Sequence, residues 1–235
     1  MVNKESTSKQ IKMEKTDIAF IPVGSTEQHS VHLPVMTDAF IIEKISYEVA
    51  KRIGGYLLPT LPFGTSIENM GGAGTVTLRP MTLRQVIYDL VDSLYRQGYK
   101  KIFVINFHGG NFILRPAIRE INYERQEGKV FYVGSEFFTS AKKRIDLHAG
   151  EIETSLMMYL WRKNVSLDEV KNTTPNFVRS DLDWIGMVEA TDGIGSWGYP
   201  TRASYNKGKK IFKKMVEDYV NEIKRLLILI EKKKR

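Results

Sequence analysis

Lys101–Phe107 reads KIFVINF and runs directly into His108-Gly109-Gly110-Asn111. A near-continuous apolar run of this length, closed by turn formers, is the pattern of a strand buried on both faces, as in a parallel sheet. The flanking sequence alternates helix and strand. Downstream, Phe112–Gln126 follows as a helix and Val130–Val133 as a further strand. Upstream, Asp17–Val23 (DIAFIPV) is an apolar run ending at Gly24. Ala39–Ile53 then places Ile41, Ile42, Ile45, Val49 and Ile53 on one side of a helix stopped by Gly54-Gly55. Tyr56–Leu61 reads as a second short strand, Ser66–Gly74 as a glycine-rich loop and Thr75–Leu78 as a short alternating strand. Pro80 and Thr82 open a helix over Leu83–Gln97, ended by Gly98, and Glu151–Trp161 is a helix rich in Leu and Met.

This alternation predicts an α/β fold with a mostly parallel central sheet covered by helices on both sides. Ligands of such sheets bind beyond the carboxyl ends of the strands. The segments after Val23 and after Phe107 lie at such ends, and His148 lies between the fourth strand and the next helix. Three sequence-distant segments are therefore expected to meet on one rim. Asn172–Ser204 is loop-rich and either covers that site or packs at a surface.

The 235 residues include no cysteine, which excludes a disulfide scaffold, a thiolate zinc site, an iron–sulfur cluster and a cysteine nucleophile. Residues 1–15 form a polar N-terminal extension without the apolar core of a signal peptide. Residues 16–235 form a single domain that includes a basic amphipathic helix over 204–235. Leu226–Ile230 is far too short to span a bilayer. A cytoplasmic protein without membrane association is expected.

The net charge is +8, from 35 Lys+Arg against 27 Asp+Glu. Residues 204–235 hold 11 Lys+Arg and 4 Asp+Glu, a net +7, so the first 203 residues sum to +1. Ile211, Met215, Tyr219, Ile223, Leu226, Leu227 and Ile230 recur there at helical spacing with lysines on the other face. That is the pattern of a packing helix with a solvated side. It has no interleaved aromatics of the kind a single-strand platform needs, so nucleic acid is not an expected partner. A non-catalytic binding module with an RNA-contacting basic tail is the alternative from a different class.

The four histidines sit in three segments that also carry carboxylates, glycines or both. The first is Gly24-Ser25-Thr26-Glu27-Gln28-His29-Ser30-Val31-His32-Leu33-Pro34, followed by Thr37-Asp38. Glu27 and His29 are two apart, so an extended backbone points both side chains the same way. The second is Asn106-Phe107-His108-Gly109-Gly110-Asn111, where glycines let the backbone turn away from a ligating histidine. The third is His148-Ala149-Gly150-Glu151-Ile152-Glu153-Thr154. Imidazole and carboxylate donors of this kind suit Zn, Fe(II) or Mn. Each piece also has a plain structural reading. Asp38 could cap a helix, and Glu151 and Glu153 could favour a helix N-terminus. For Glu151 the structural reading is preferred. His32 shares the parity of Glu27 and His29 and is either substrate-facing or structural.

Together the segments GSTEQHxxHLPxxTD, NxHGGN and HAGxxETS resemble the creatininase family of metal-dependent amidohydrolases. GTVTLRP after the glycine-rich loop and GIGxxGYPxxAxxxxG near the end add to the resemblance, which spans about Ile18 to Gly208. It implies a three-layer α/β/α sandwich, homo-oligomers, hexamers among them, and two divalent ions per chain, Fe(II), Zn or Mn. Glu27 and His108 would bind one ion, His29 the other, and Asp38 would bridge both. His148 would be catalytic, and Glu153 either catalytic, completing the second ion's shell or orienting a water, or structural.

Two departures argue against creatinine as substrate. The creatinine enzymes carry a glutamate ligand where this chain has Gly110, and another glutamate where it has Leu147. The usual Gly-Pro of the first segment is Ser30-Val31 here, and the usual histidine of the glycine-rich loop is Asn69.

The expected reaction is hydrolysis of a non-peptide C–N amide bond by water activated between two ions on the order of 3.5–4 Å apart. His148 would protonate the departing nitrogen. The backbone around Gly109-Gly110 and Gly71–Gly74 could hold an oxyanion or phosphate, as could Arg79 or a later Lys or Arg. The small-molecule substrate favoured is a formamide on a pyrimidine nucleotide, as in flavin and deazaflavin synthesis. A creatinine-type cyclic amide comes second and a peptide bond third.

Overall fold

Four strands form one all-parallel sheet: β1 (Ile18–Val23), β2 (Tyr56–Leu57), β3 (Lys101–Asn106) and β4 (Lys129–Gly134), in the order β2-β1-β3-β4. The computed structural model describes residues 1–134, 146–174 and 178–232. The helices are α1 (Ser8–Met13), α2 (Thr37–Ile53), α3 (Pro80–Arg96), α4 (Leu114–Glu124), α5 (Glu151–Leu160), the one-turn α6 (Met187–Ala190) and α7 (Tyr205–Lys232).

Side-chain alternation along the strands builds two separate cores. Phe20, Phe103, Ile105 and Val133 face α2, α5 and α7, meeting Ile41, Ile45, Leu156 and Tyr219. Ala19, Ile21, Val23, Ile102 and Val104 face α3 and α4, meeting Leu83, Ile87, Leu114 and Ile118. Each fully buried side chain of this size contributes about 1.5–3 kcal/mol. The result is the expected three-layer α/β/α sandwich. Because β2 and β3 flank β1 on opposite sides, the chain reverses direction across the sheet at β1 and β3. Crevices form beyond strand carboxyl ends at such reversals.

The expected strand over Tyr56–Leu61 is cut to two residues. Leu58 N–H still donates to Phe20 O, but the next ladder bond comes from Leu61, not Thr60, to Pro22 O. Pro59 has no N–H to donate, and the chain slips by one residue there. The expected strand over Thr75–Leu78 is a single antiparallel bridge between Thr26 and Val76.

Near the N-terminus, Val2 is buried and forms a parallel bridge with Tyr56 on the open edge of β2. At the other end, α7 packs along α5 and α2 with Met215, Val216, Tyr219, Val220, Ile223 and Leu226 buried. A Cβ at Gly208 would lie 1.8 Å from Ser155 O, so glycine is what lets α7 approach α5 so closely. The basic segment is thus built into the domain and is not a detachable arm. Among the described residues no helix is long and apolar enough to cross a membrane.

Candidate metal centre

β1 delivers the first segment to the rim. A Cβ at Gly24 would lie 2.5 Å from Ala39 Cα, so this glycine allows the end of β1 to touch the first turn of α2. That contact brings Asp38 inward. Asp38 makes no capping hydrogen bond at the α2 N-terminus; its Oδ2 accepts from Ser25 Oγ at 2.7 Å. β3 delivers His108, whose Nδ1 lies 2.9 Å from Asp38 Oδ2. His29 Nε2 lies 3.4 Å from Asp38 Oδ1. One carboxylate therefore faces both histidines, one oxygen to each.

The remaining residues close around this pair. Glu27 Oε2 is 3.2 Å from His108 Nε2, and its Oε1 is 3.5 Å from His148 Nδ1. Glu153 Oε2 is 3.7 Å from His29 Nε2 and also accepts from Ala149 N–H. Glu27, His29, Asp38, His108 and His148 are all buried. All six expected site residues thus meet at one place, beyond the ends of β1 and β3, in the first turn of α2 and around the start of α5.

The donor set fits divalent ions. Both carboxylate oxygens of Glu27 and Nε2 of His29 are buried with no hydrogen-bond partner among the described residues. Unpaired buried polar atoms cost several kcal/mol unless something else satisfies them. Among the described residues, ligand-capable atoms within 4.8 Å of one another form three groups: Glu27, His29, His148; Glu27, Glu68, His108; and His29, Asp38, Glu153. Oxygen and imidazole donors are those that Zn and Mn accept.

Without ions these groups hold protons differently from free side chains. Burial pushes Glu27 up to about 7, although His108 pulls it down, and pushes Glu153 up to about 8. Burial opposes charge on His29, but Asp38 and the other nearby carboxylates outweigh it and lift it to about 10. His108 is likewise lifted to about 10 by Glu27 and Asp38 against burial. Burial works against Asp38 too, yet the two histidines hold its carboxyl far below the usual range. His148 goes the other way, down to about 3, through burial and the nearby His29.

Other expected residues lie elsewhere. His32 is buried against α5, its Nε2 3.0 Å from Thr154 Oγ1. Ser30 has φ +59° and His29 bridges Leu33, so the backbone doubles back and strand parity no longer applies at His32. Glu151 pairs with Lys207 at 2.8 Å. Arg79 precedes α3 and does not line the cavity.

Sequence reasoning missed three residues that build the site. Gln28 Nε2 donates to Asn69 Oδ1 (2.6 Å) and Gly195 O (2.9 Å) and lies 3.1 Å from His148 Nε2. Asp146 accepts from Glu151 and Ile152 N–H, at 2.7 and 2.9 Å, and so holds the start of α5. Glu68 approaches His108 from the glycine-rich loop. The late loop does cover the site, since Trp197 pairs with His148 through the backbone.

A cavity of about 1190 Å³ opens from this cluster. Its outer wall includes Phe112, Arg115, Lys210 and Lys214. Arg115 stacks on Tyr132, its guanidinium 4.3 Å from the ring centroid, and Lys214 pairs with Asp218.

Buried imidazoles and carboxylates around one shared carboxylate, at the reversal point of a parallel α/β sheet, define a divalent-metal hydrolase. The family profile described as creatinine amidohydrolase matches residues 4–223, and the chain belongs to the creatininase family of metal-dependent amidohydrolases. It is accordingly an enzyme that hydrolyses carbon–nitrogen bonds. Among curated relatives, a mycofactocin precursor peptide peptidase of Mycobacterium ulcerans is 33% identical over 94% of this chain and 89% of its own length. A creatinine amidohydrolase of Pseudomonas putida is 28% identical over 88% of each chain. A 2-amino-5-formylamino-6-ribosylaminopyrimidin-4(3H)-one 5'-monophosphate deformylase of Methanosphaera stadtmanae is 23% identical over 89% of this chain and 91% of its own. Among solved structures, a mutant creatininase of Zn–Zn type superposes with a TM-score of 0.82 at 26% identity, covering 94% of this chain and 96% of that one.

Proposed function

We propose that this chain is a dinuclear-metal amidohydrolase acting on a substrate much larger than creatinine. The observation that carries the dinuclear reading is the division of Asp38. Glu27 and His108 lie on the Oδ2 side, and His29 with Glu153 on the Oδ1 side. Glu27, His108 and Asp38 would hold one ion, and His29, Glu153 and Asp38 the other. Bound divalent ions supply an activated water near neutral pH and polarise the amide carbonyl.

The chain's own residues handle the proton. His148 Nε2 lies 2.8 Å from Gln28 O, a geometry in which Nε2–H donates and Nδ1 keeps its lone pair. Nδ1 faces Glu27 and the cavity, so it can collect a proton and pass it to the departing nitrogen. The Gln28 backbone carbonyl fixes the ring, and the bridge to Trp197 fixes the backbone that carries it.

For the substrate, a formamide on a pyrimidine nucleotide is favoured. The cavity is wide enough for a nucleotide, and Arg115, Lys210 and Lys214 offer cations for its phosphate. A peptide amide is the second reading, supported by the relatives named peptidases being more similar to this chain than those named deformylases. Creatinine is disfavoured by the cavity volume and by Gly110 and Leu147. Elemental analysis should find close to two ions per chain; a stably folded protein that binds none would sink this reading. Formate release from a formylaminopyrimidine nucleotide, run beside creatinine and short peptides, decides among the substrates.

A further inference from the structure

Glu68 is a carboxylate beside His108 that sequence patterning did not single out. It sits in the short turn Ile67–Asn69, and its Oε1 lies 3.7 Å from His108 Nε2. Its ligand-capable oxygen, one from Glu27 and a ring nitrogen of His108 all lie within 4.8 Å of one another. Glu68 borders the cavity with its side chain 19% exposed, and no described group other than His108 pairs with it.

The space it occupies is informative. A Cβ at Gly110 would lie 2.3 Å from Glu68 Oε1, 2.4 Å from His108 Nε2 and 2.2 Å from Thr65 O. The glutamate carboxylate thus fills the volume that any side chain at position 110 would need. The turn that carries it is clamped. Thr65 N–H donates to Asn111 Oδ1 (2.8 Å), Ser66 N–H to Thr77 Oγ1 (2.8 Å), and buried Asn69 accepts from Gln28 (2.6 Å). Beside it, Glu27 keeps both carboxylate oxygens buried and unpartnered. A carboxylate carried on a turn held by this many bonds, next to such a group, is placed for a cation that both can share.

We propose that Glu68 is a ligand of the ion held by Glu27 and His108, supplying from the glycine-rich loop the carboxylate that Gly110 lacks. This rests on the dinuclear reading. It gives that ion Glu27, Glu68, His108 and the shared Asp38, whereas the other ion has His29, Glu153 and Asp38.

The test is a titration of metal-free protein with Mn(II), following free ion by electron paramagnetic resonance and heat by calorimetry. Wild type should take up two ions. Glu68→Gln preserves size and should weaken one of the two dissociation constants on the order of 10–100-fold, leaving the other unchanged. Two unchanged constants overturn the assignment. So do two constants weakened equally, which would mean a general loosening of the site. Should Glu68→Gln not fold, Glu68→Asp is read by the same titration, where a single weakened constant is expected and none overturns the proposal. A wild type binding fewer than two ions overturns the dinuclear reading itself, and that result is separate from any variant.

Discussion

Asp38 Oδ2 lies 2.9 Å from His108 Nδ1, while the other oxygen of the same carboxylate turns toward a second histidine, His29, at 3.4 Å. Removing the charge from Asp38 should therefore unseat both ions together. Asp38→Asn is expected to lower bound metal from about two ions per chain to well under one and activity at least about 10²–10³-fold, since a metal Lewis acid supplies several kcal/mol. Retention of one full ion by this variant would show that Asp38 serves one side alone.

Glu153 does two things with one oxygen. Oε2 approaches His29 at 3.7 Å and accepts from Ala149 N–H. In the metal-free protein, burial pushes its carboxyl to about 8, so at pH 7 it is largely neutral. Glu153→Gln keeps a neutral acceptor for Ala149. The metal-free variant should then unfold within about 1 kcal/mol of wild type, because an amide of the same size replaces a largely neutral acid in the same hydrogen bond. Metal content should fall from about two ions to about one. A variant that keeps both ions would make Glu153 a purely structural acceptor, which is the other reading its position before Thr154 allows.

The parts of this protein legible in sequence were those set by local period and punctuation. The apolar runs of β1 and β3 and the spacing of Ile41, Ile45 and Val49 report burial on both faces of a sheet and on one side of a helix. The convergence of Glu27, Asp38, His108 and His148 followed from strand ends sharing a rim. What stayed hidden depends on tertiary contact. Nothing local marks Gln28 as the group that ties Asn69, Gly195 and His148 together, because its partners are 41, 167 and 120 residues away. Glu68 was masked by the glycines around it. Pro59 interrupts the strand that the pattern predicts over Tyr56–Leu61, and the left-handed backbone at Ser30 breaks the parity that would set His32 beside Glu27 and His29.

Gln28 offers a test of positioning as distinct from metal binding. Gln28→Ala leaves the buried acceptors Asn69 Oδ1 and Gly195 O without their donor, which should cost about 1–3 kcal/mol in stability. It also removes the side chain that lies 3.1 Å from His148 Nε2, while the backbone acceptor Gln28 O stays, so the ring keeps its anchor but loses its lateral support. The expected outcome is full metal content, kcat lowered roughly 10-fold or more and a shifted pH profile, within the 10²–10⁴-fold that a general acid contributes. Unchanged kcat with the predicted loss of stability would assign Gln28 to the scaffold alone.

His32 predicts how the fold responds to acid. Burial, with the nearby His29, pushes its imidazole down to about 4. Above its ordinary value near 6.5, both folded and unfolded chains carry it neutral, and its contribution is fully present. As pH falls from 6.5 toward 4, the unfolded chain takes a proton that the folded chain refuses, so stability is lost, about 3 kcal/mol in all. His148, pushed down to about 3, drives the same trend, so the wild-type slope alone does not isolate His32. The difference between wild type and His32→Gln does. Gln keeps a polar group near Thr154 Oγ1 but has nothing to titrate. In urea unfolding at pH 7, 6, 5 and 4, the wild-type advantage over His32→Gln should shrink by about 3 kcal/mol from the first pH to the last. A difference that stays constant across that window would mean that the folded chain protonates His32 as readily as the unfolded chain does, and that burial does not oppose its charge.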